Sequence, residues 1–235
     1  MEQKKIAETA GLGFFRLDTT EKRKFFLDCR YMATYRLSTP LRDEDVERLR
    51  VGDTLYVSGV LVSARDAAHA RMLELLREGR PLPVDLRGGV IYHAGPVAKK
   101  EGDGWRIIAM GPTTSARMEA FEADVIEKLG VKLIIGKGGM GKRTAEAMRR
   151  HKAAYAIFTG GAGVLAARAI RKVLGVHWLD LGMAEAMWVL EVEDFGPLTV
   201  MIDSTGRNFY DEAREKMRAK VPELVKELGG VFKAS

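Results

Sequence analysis

Two glycine-containing turns in the C-terminal half of the chain combine backbone amides with cationic side chains. The first has the sequence GPTTSAR at residues 111–117, between a predicted strand and a predicted helix. Several free N–H groups and three hydroxyls are therefore expected at a helix N-terminus, where anions bind. A plain N-cap would explain the hydroxyls alone. Arg117, however, would oppose the helix dipole in the first helical turn, which favours a bound anion.

The second turn has the sequence GKGGMGK at residues 136–142 and follows a predicted buried strand. Its spacing imitates a Walker phosphate loop, but Arg143 occupies the position of the magnesium-binding hydroxyl, which excludes nucleotide hydrolysis. What remains is either an anion site that includes Lys137 or a purely structural turn. A third turn, GGAG at residues 160–163, is explained by close helix–sheet packing. Turns after successive strands meet at one edge of a parallel sheet, so the three together favour a small anionic ligand.

A further cation, Arg65, ends the main predicted strand of the N-terminal half. We expect Asp66 to cap the helix that follows, with His69 one turn on. A capped surface helix with a solvated arginine is the alternative interpretation. No two of the chain's four histidines have metal-ligand spacing, and no Ser–His–acid pattern or cysteine nucleophile is recognisable. We therefore expect each histidine to be structural or solvent-exposed.

The predicted elements indicate how these turns could meet. Predicted strands occupy residues 54–62, 90–94, 105–110, 132–135, 154–158, 177–181, 187–193 and 198–203. Predicted helices occupy residues 43–49, 66–77, 114–129, 143–150, 163–173 and 209–220, the last of them broken by Pro222. From Gly111 onward, strand, glycine turn and helix alternate, which is typical of an α/β fold with a mostly parallel sheet. The β-rich half at residues 35–97 is expected to add a second β layer.

Composition limits the function classes. The 235 residues are 46% hydrophobic and 30% charged, without an apolar run that could span a membrane. The one cysteine, Cys29, excludes an internal disulfide framework and any site that needs several cysteines of this chain. We therefore expect a cytoplasmic protein. The net charge of +6 is spread out without interleaved aromatic residues, so nucleic-acid binding, which would weaken steeply with salt, has little support.

The N-terminal segment differs from the rest of the chain. Residues 1–31 are polar and carry phenylalanines without a clear period, and Met32 stands directly before the first coherent strand-like run. The segment is either an arm that packs on a neighbour or a mis-assigned start, with translation beginning at Met32. We therefore expect one catalytic domain at residues 32–235.

Taken together, six motifs resemble those of one enzyme family. They are ARDAAH (64–69), GPTTSARM (111–118), GKGGM (136–140), GGA (160–162), DLGMAEAMW (180–188) and DSTG (203–206). In this order they resemble the β subunit of two-subunit class I fumarases and L-tartrate dehydratases, which corresponds to the C-terminal domain of single-chain class I fumarases. The resemblance runs from about residue 34 to residue 228 and implies a swivelling β/β/α domain.

The resemblance also implies a chemistry and a partner. The family hydrates fumarate reversibly to L-malate or dehydrates L-tartrate to oxaloacetate. By its pattern, Arg65, Arg117, Lys137 and Gly138 bind the dicarboxylate, and bidentate arginines suit that role. Thr113 matches the family's active-site threonine. A four-iron four-sulfur cluster, an acid and a histidine belong to a separate α subunit, which implies an α2β2 assembly. The competing hypothesis is a non-catalytic swivelling module that binds dicarboxylates.

Overall fold

The computed structural model describes residues 32–232, with side chains to residue 226. The strands are β1 (Thr34–Ser38), β2 (Thr54–Ser63), β3 (Val90–Tyr92), β4 (Val97–Glu101), β5 (Gly104–Ala109), β6 (Leu133–Gly136), β7 (Ala154–Ile157), β8 (Ile170–His177) and β9 (Met187–Ile202). The α-helices are α1 (Asp43–Glu47), α2 (Asp66–Arg77), α3 (Glu119–Leu129), α4 (Lys142–His151), α5 (Gly163–Ala169) and α6 (Phe209–Phe232). The predicted N-terminal arm at residues 1–31, with Cys29, lies outside the described residues.

A seven-stranded sheet organises this part of the chain, in the order β1-β2-β3-β6-β7-β9-β8. The first five strands are parallel to their neighbours, and β9 runs antiparallel to β7 and β8. The prediction of a mixed α/β fold with a mostly parallel sheet is thus confirmed. Strand β9 also pairs antiparallel with β2, so β2, β3, β6, β7 and β9 form a closed ring of hydrogen-bonded neighbours.

Alternate residues of the central strands enter two separate hydrophobic clusters. In β6, Leu133 and Ile135 belong to one cluster, whereas Ile134 belongs to the other. The second cluster also contains Met72 of α2 and Ile126 of α3, so these helices cover one face of the sheet. Successive strand side chains point to opposite faces, and both faces are covered here, which explains the continuous apolar runs of β6 and β7.

Strands β1, β2 and β3 of the predicted β-rich half belong to the seven-stranded sheet, so the expectation that this half adds a separate β layer is only partly right. The hairpin β4–β5 forms a separate two-stranded sheet. Trp105 of β5 packs edge-to-face on Trp188 of β9, with ring centroids 5.4 Å apart. The hairpin therefore packs against a strand from the C-terminal half.

Three local predictions are wrong because tertiary pairing overrides local pattern. The predicted helix at residues 163–173 ends at Ala169, since the next residues pair with β9 as strand β8. The predicted strand at residues 177–181 is a short 3-10 turn at Leu179–Leu181, preceded by Trp178 in left-handed conformation. Residues 187–193 and 198–203 are one strand, because Phe195 between them is buried and pairs with Val57 of β2.

The C-terminal helix also differs from prediction. Helix α6 continues through Pro222 to Phe232 instead of breaking there. Proline removes one backbone donor from a helix, and the carbonyl that it leaves unpaired can bind water because residues 214–226 are exposed.

Candidate active site

The segment at residues 111–117 crosses the carboxyl ends of two central strands. The prediction that it follows a strand of the large sheet is wrong. The segment instead follows β5, in the separate hairpin. The amide of Thr113 donates to the carbonyl of His93, just after β3, at 2.7 Å. The amide of Ser115 donates to the carbonyl of Lys137, just after β6, at 2.9 Å. Backbone bonds thus hold the first turn against the ends of β3 and β6.

The other two glycine turns join the same edge. The amide of Met110 donates to the carbonyl of Gly163 at 2.9 Å. A Cβ on Gly163 would lie 2.9 Å from the Gly111 nitrogen, so glycine permits this approach. A Cβ on Gly160 would lie 3.2 Å from Cδ of Lys137. The three turns therefore meet at one edge, as the sequence predicts.

Arg65 reaches this edge from the end of β2. It is the N-cap residue of α2, in extended conformation, and its Nη2 lies 3.1 Å from Oε1 of Glu185. The other oxygen of Glu185 accepts from the amide of Ala67 at 3.0 Å. The Nε of Arg65 is buried, and no acceptor among residues 32–226 contacts it. Arg65 therefore has one unpaired donor, which is buried in this structure.

The prediction that Asp66 caps α2 is wrong. It is the first helical residue, and its carboxylate binds Arg117, whose Nε lies 3.0 Å from Oδ1. Burial by itself raises the pKa of Asp66, but the hydrogen bond from Arg117 and the positive charges of both arginines outweigh burial and lower it. The same hydrogen bond raises the pKa of Arg117. Arg65 and Arg117 thus stand on either side of one carboxylate.

Lys137 and Gly138 form the open side of this edge. The Lys137 side chain is exposed, and no carboxylate within the described part of the chain pairs with it. Gly138 has a φ of +75°, which favours glycine, and a Cβ there would meet nothing within 4 Å. Its carbonyl accepts from the hydroxyl of Tyr155 at 2.8 Å. An anion that approaches Lys137 would therefore meet a fixed turn with free space in front of it.

Thr113 lies beside Arg117. Its half-buried side chain places Oγ1 3.5 Å from Nη1 of Arg117. The hydroxyls of this turn do not act together, because Ser115 is fully buried and its Oγ contacts His93 and Tyr155. Of the three hydroxyls, only those of Thr113 and Thr114 remain for a ligand.

Sequence reasoning missed a buried polar network behind this edge. His69, His93 and Glu122 are completely buried, and Oε2 of Glu122 lies 2.8 Å from Nε2 of His93 and 3.4 Å from Nε2 of His69. Nδ1 of His69 lies 2.8 Å from the carbonyl oxygen of Arg65. Both histidines are structural, as expected. The sequence indicates only that His69 lies one helical turn after Arg65. It does not indicate the contact with Glu122, because Glu122 belongs to a different helix.

This network is the one group of three metal-type donors within the described residues, with ligand atoms inside 4.8 Å of one another. Oε2 of Glu122 and Nδ1 of His69 are already hydrogen-bonded, to His93 and to the Arg65 carbonyl, whereas Nε2 of His69 and Oε1 of Glu122 have no hydrogen-bond partner within the described residues. We assign no metal there. Burial by itself raises the pKa of Glu122, but the two neighbouring imidazoles outweigh burial and lower it to about 2. Burial by itself lowers the pKa of both imidazoles; attraction to Glu122 reverses this for His69, whose pKa is raised, but not for His93, whose pKa is lowered.

The sequence of the chain is similar to those of known proteins. The sequence profile described as Fumarase C-terminus matches residues 17–213. The chain belongs to this family. The matched range begins within residues 1–31, earlier than the resemblance expected from the six motifs. It also ends earlier than that resemblance, which was expected to run to residue 228.

Three relatives within this family show its breadth. The chain is 46% identical over 192 residues to the L(+)-tartrate dehydratase subunit beta of Escherichia coli (strain K12), covering 82% of the chain and 94% of that protein. It is 42% identical over 186 residues to a Methanocaldococcus jannaschii protein provisionally given the same name, covering 79% of the chain and 95% of that protein. It is 37% identical over 189 residues to a Geobacillus stearothermophilus protein provisionally named fumarate hydratase class I, covering 80% of the chain but only 36% of that protein.

The relatives define the reaction class. Tartrate dehydratase and fumarate hydratase are both hydro-lyases, so this member of the Fumarase C-terminus family is the β-type chain of a hydro-lyase. In the described residues, no helix is long and apolar enough to cross a membrane.

Proposed function

We propose that this chain is the β subunit of a two-subunit iron–sulfur hydro-lyase that acts on a four-carbon dicarboxylate in the cytoplasm. The reaction adds the hydroxyl and the proton of water to the two carbons of the fumarate double bond, giving L-malate reversibly. The observation that carries the proposal is the convergence of Arg65, Arg117 and Lys137 on turns at one sheet edge, within a chain of this family.

Two carboxylates and three cations account for substrate binding. The planar guanidinium groups of Arg65 and Arg117 are suited to bidentate contacts with carboxylates. In the structure Arg65 pairs with the carboxylate of Glu185, and Arg117 pairs with that of Asp66. We infer that substrate carboxylates share or displace these partners on the two guanidinium groups, and that Lys137 and Gly138 receive the other end.

Thr113 is our candidate for moving the proton. Its Oγ1 lies next to Arg117, so it would reach the carbon that neighbours a bound carboxylate. A hydroxyl is a weak base, and the positive charges of Arg117 and Lys137 would stabilise both its deprotonated form and the negative charge that develops on the substrate. The remaining acid and histidine are proposed to come from the partner subunit.

The residues of this chain do not fit an iron–sulfur cluster. The sequence contains one cysteine, whereas three cysteines hold a four-iron four-sulfur cluster in the family. The three metal-type donors that the structure describes together include no cysteine and are completely buried, and His93 uses both ring nitrogens in hydrogen bonds. We therefore propose that an α subunit holds the cluster, in an α2β2 assembly. Swivelling of this β/β/α domain would bring its cationic edge to that partner.

L-Tartrate is the second candidate substrate, with oxaloacetate as product. It is favoured by the 46% identity to a named tartrate dehydratase subunit across nearly the whole of that protein. Fumarate and tartrate share the two carboxylates that the cations bind and differ in hydroxyls. A dicarboxylate-binding module without catalysis is the remaining alternative.

The deciding experiment is anaerobic purification of the full chain with its co-purifying proteins, followed by assays with fumarate and with L-tartrate. We expect an iron–sulfur partner and turnover of one substrate. Lys137→Ala should abolish turnover without loss of the partner, whereas Lys128→Ala, on α3, should behave as wild type. Wild-type turnover in Lys137→Ala would contradict the site. Dicarboxylate binding by the chain without partner or turnover would favour the binding module.

A further inference from the structure

A continuous buried network connects the segment that carries Arg65 with the turn that carries Lys137. Its members are completely buried side chains from four different parts of the chain, listed in spatial order: His69, Glu122, His93, Ser115 and Tyr155. At one end, His69 contacts the carbonyl of Arg65. At the other end, Ser115 accepts from the amide of Lys137 at 3.1 Å. The two cationic segments therefore share one internal support.

The partners determine where the protons are. A carbonyl oxygen only accepts, so Nδ1 of His69 carries a proton and donates it to Arg65. Nε2 of His69 faces Oε2 of Glu122 at 3.4 Å, an ion-pair distance at which no hydrogen bond forms. Burial by itself lowers the pKa of His69, but the negative charge of Glu122 outweighs burial and raises it, which favours a second proton on this ring.

His93 takes the opposite role. Its Nε2 lies 2.8 Å from the same carboxylate oxygen and donates to it. Its other ring nitrogen, 3.0 Å from Oγ of Ser115, then accepts from that hydroxyl. The Tyr155 hydroxyl lies between Ser115, at 3.0 Å, and the carbonyl of Gly138, at 2.8 Å. The links from Glu122 through His93 and Ser115 to the Lys137 amide are therefore hydrogen bonds of normal length.

The network leaves no room to adjust. A Cβ on Gly136 would lie 1.8 Å from Oγ of Ser115 and 3.2 Å from Nδ1 of His93, so the strand end packs directly on the network. The groups that face Glu122 are His69 from α2, His93 after β3 and Tyr155 from β7, with the charge of Asp66 nearby. Removing Glu122 would leave Nε2 of His93 buried without an acceptor and take away the charge that faces His69, and the segments that these rings hold would have to move.

We propose that Glu122 is a positioning residue, which through its hydrogen bond to His93 and its ion pair with His69 sets the separation of Arg65 and Lys137 for dicarboxylate binding. The proposal rests on the proposed function of that edge. Glu122 touches no substrate in this role. It acts through the two imidazoles, and displacement of either cation would reduce the fit of a rigid dicarboxylate.

The test compares Glu122→Ala, which removes both contacts, with Glu122→Gln, which retains an oxygen for the His93 N–H. Asp53→Ala is the matched control, because Asp53 is also a buried carboxylate but bonds only the amides of Ala33 and Arg50. In the assembled enzyme we expect the KM for the dicarboxylate to rise about tenfold or more in Glu122→Ala, with a smaller change in kcat. Glu122→Gln should restore KM to within about threefold, and Asp53→Ala should leave it unchanged.

A spectroscopic measurement on the full chain alone separates this proposal from the proposed function. In ¹⁵N NMR of the wild type at pH 7, both ring nitrogens of His69 should carry protons. The Lys137 amide signal should move in Glu122→Ala and not in Asp53→Ala. If the assembled enzyme had no activity on either substrate, the proposed function would fail, but these signals would still decide the positioning role.

Several outcomes would overturn the proposal. These are an unchanged KM and Lys137 signal in Glu122→Ala, equal impairment in Glu122→Gln, or one equivalent of bound divalent metal in the purified wild-type chain. If Glu122→Ala does not fold, Glu122→Gln gives the answer. In Glu122→Gln the contact with His93 stays and the charge that faces His69 is gone, so loss of the His69 Nε2 proton with the Lys137 signal in place would support the proposal. Retention of that proton in Glu122→Gln would refute it.

Discussion

The guanidinium of Arg117 binds the carboxylate of Asp66, with Nε 3.0 Å from Oδ1 and Nη2 against Oδ2. Asp66 begins α2 and Arg117 precedes α3, so this pair joins the beginnings of two helices. The two side chains are 34% and 47% exposed, which leaves the pair open to a ligand. Asp66 therefore acts as a counterion that orients Arg117 at the sheet edge.

The planar geometry of Arg117 should matter more than its charge. Lysine cannot make two parallel contacts to a carboxylate, so we expect Arg117→Lys to reduce kcat/KM by about 10- to 100-fold. Arg106→Lys, on the exposed hairpin β4–β5, is the control and should leave kcat/KM unchanged. Steady-state kinetics of the assembled enzyme measures both. Wild-type kcat/KM in Arg117→Lys would exclude Arg117 from the site.

The close approach of two turns should make Gly163 intolerant of a side chain. Its Cβ would lie 2.9 Å from backbone at Gly111, so we expect Gly163→Ala to lower the free energy of unfolding by about 1–3 kcal/mol and to reduce turnover. Gly160→Ala is the comparison, because its Cβ would meet only the flexible stem of Lys137 at 3.2 Å. It should unfold like wild type and raise KM modestly. Equal stability of the two variants in denaturant titrations would contradict this contact.

Glu122 should give the protein a specific dependence of stability on pH. A carboxyl group whose pKa is lowered from 4.5 to about 2 stabilises the fold above pH 4.5, and this contribution is lost as the pH falls through the lowered value. The difference in free energy of unfolding between wild type and Glu122→Gln should therefore be largest above pH 4.5 and shrink toward pH 2. Chemical denaturation at several pH values measures it.

The control for this experiment is Glu223→Gln, in the exposed part of α6, which should unfold like wild type at each pH. A difference between wild type and Glu122→Gln that stays constant from pH 7 to pH 2 would show that the charge of Glu122 does not contribute.

The outer part of α6 should be dispensable for the fold. Residues 214–226 are exposed, and the family profile ends at residue 213. We expect a chain truncated after residue 213 to keep its melting temperature within a few degrees. Truncation after residue 206 should be markedly destabilising, because it also removes Asn208, which donates to the Met140 carbonyl at 3.1 Å, and Tyr210, which packs on Gly139. Thermal unfolding of both chains provides the comparison, and equal melting temperatures would contradict it.

The sequence by itself determined the elements whose pattern is local. Alternating apolar runs and glycine turns predict the central strands β6 and β7 and the helices α2 and α4 close to their observed bounds. The motifs predict which residues carry charge at the sheet edge. These features are local because a strand buried on both faces or a glycine turn requires particular residues at consecutive positions.

Only the tertiary structure decided which groups meet. Asp66 has the sequence of an N-cap, but Arg117, 51 residues later, takes its carboxylate. Glu122 has the position of a core residue in α3, yet two imidazoles from other elements make it the centre of a buried network. Strand β8 continues a helical pattern and becomes a strand because β9 offers unpaired backbone groups. In each case the partner is distant in sequence, and the free energy of the long-range contact outweighs the local preference.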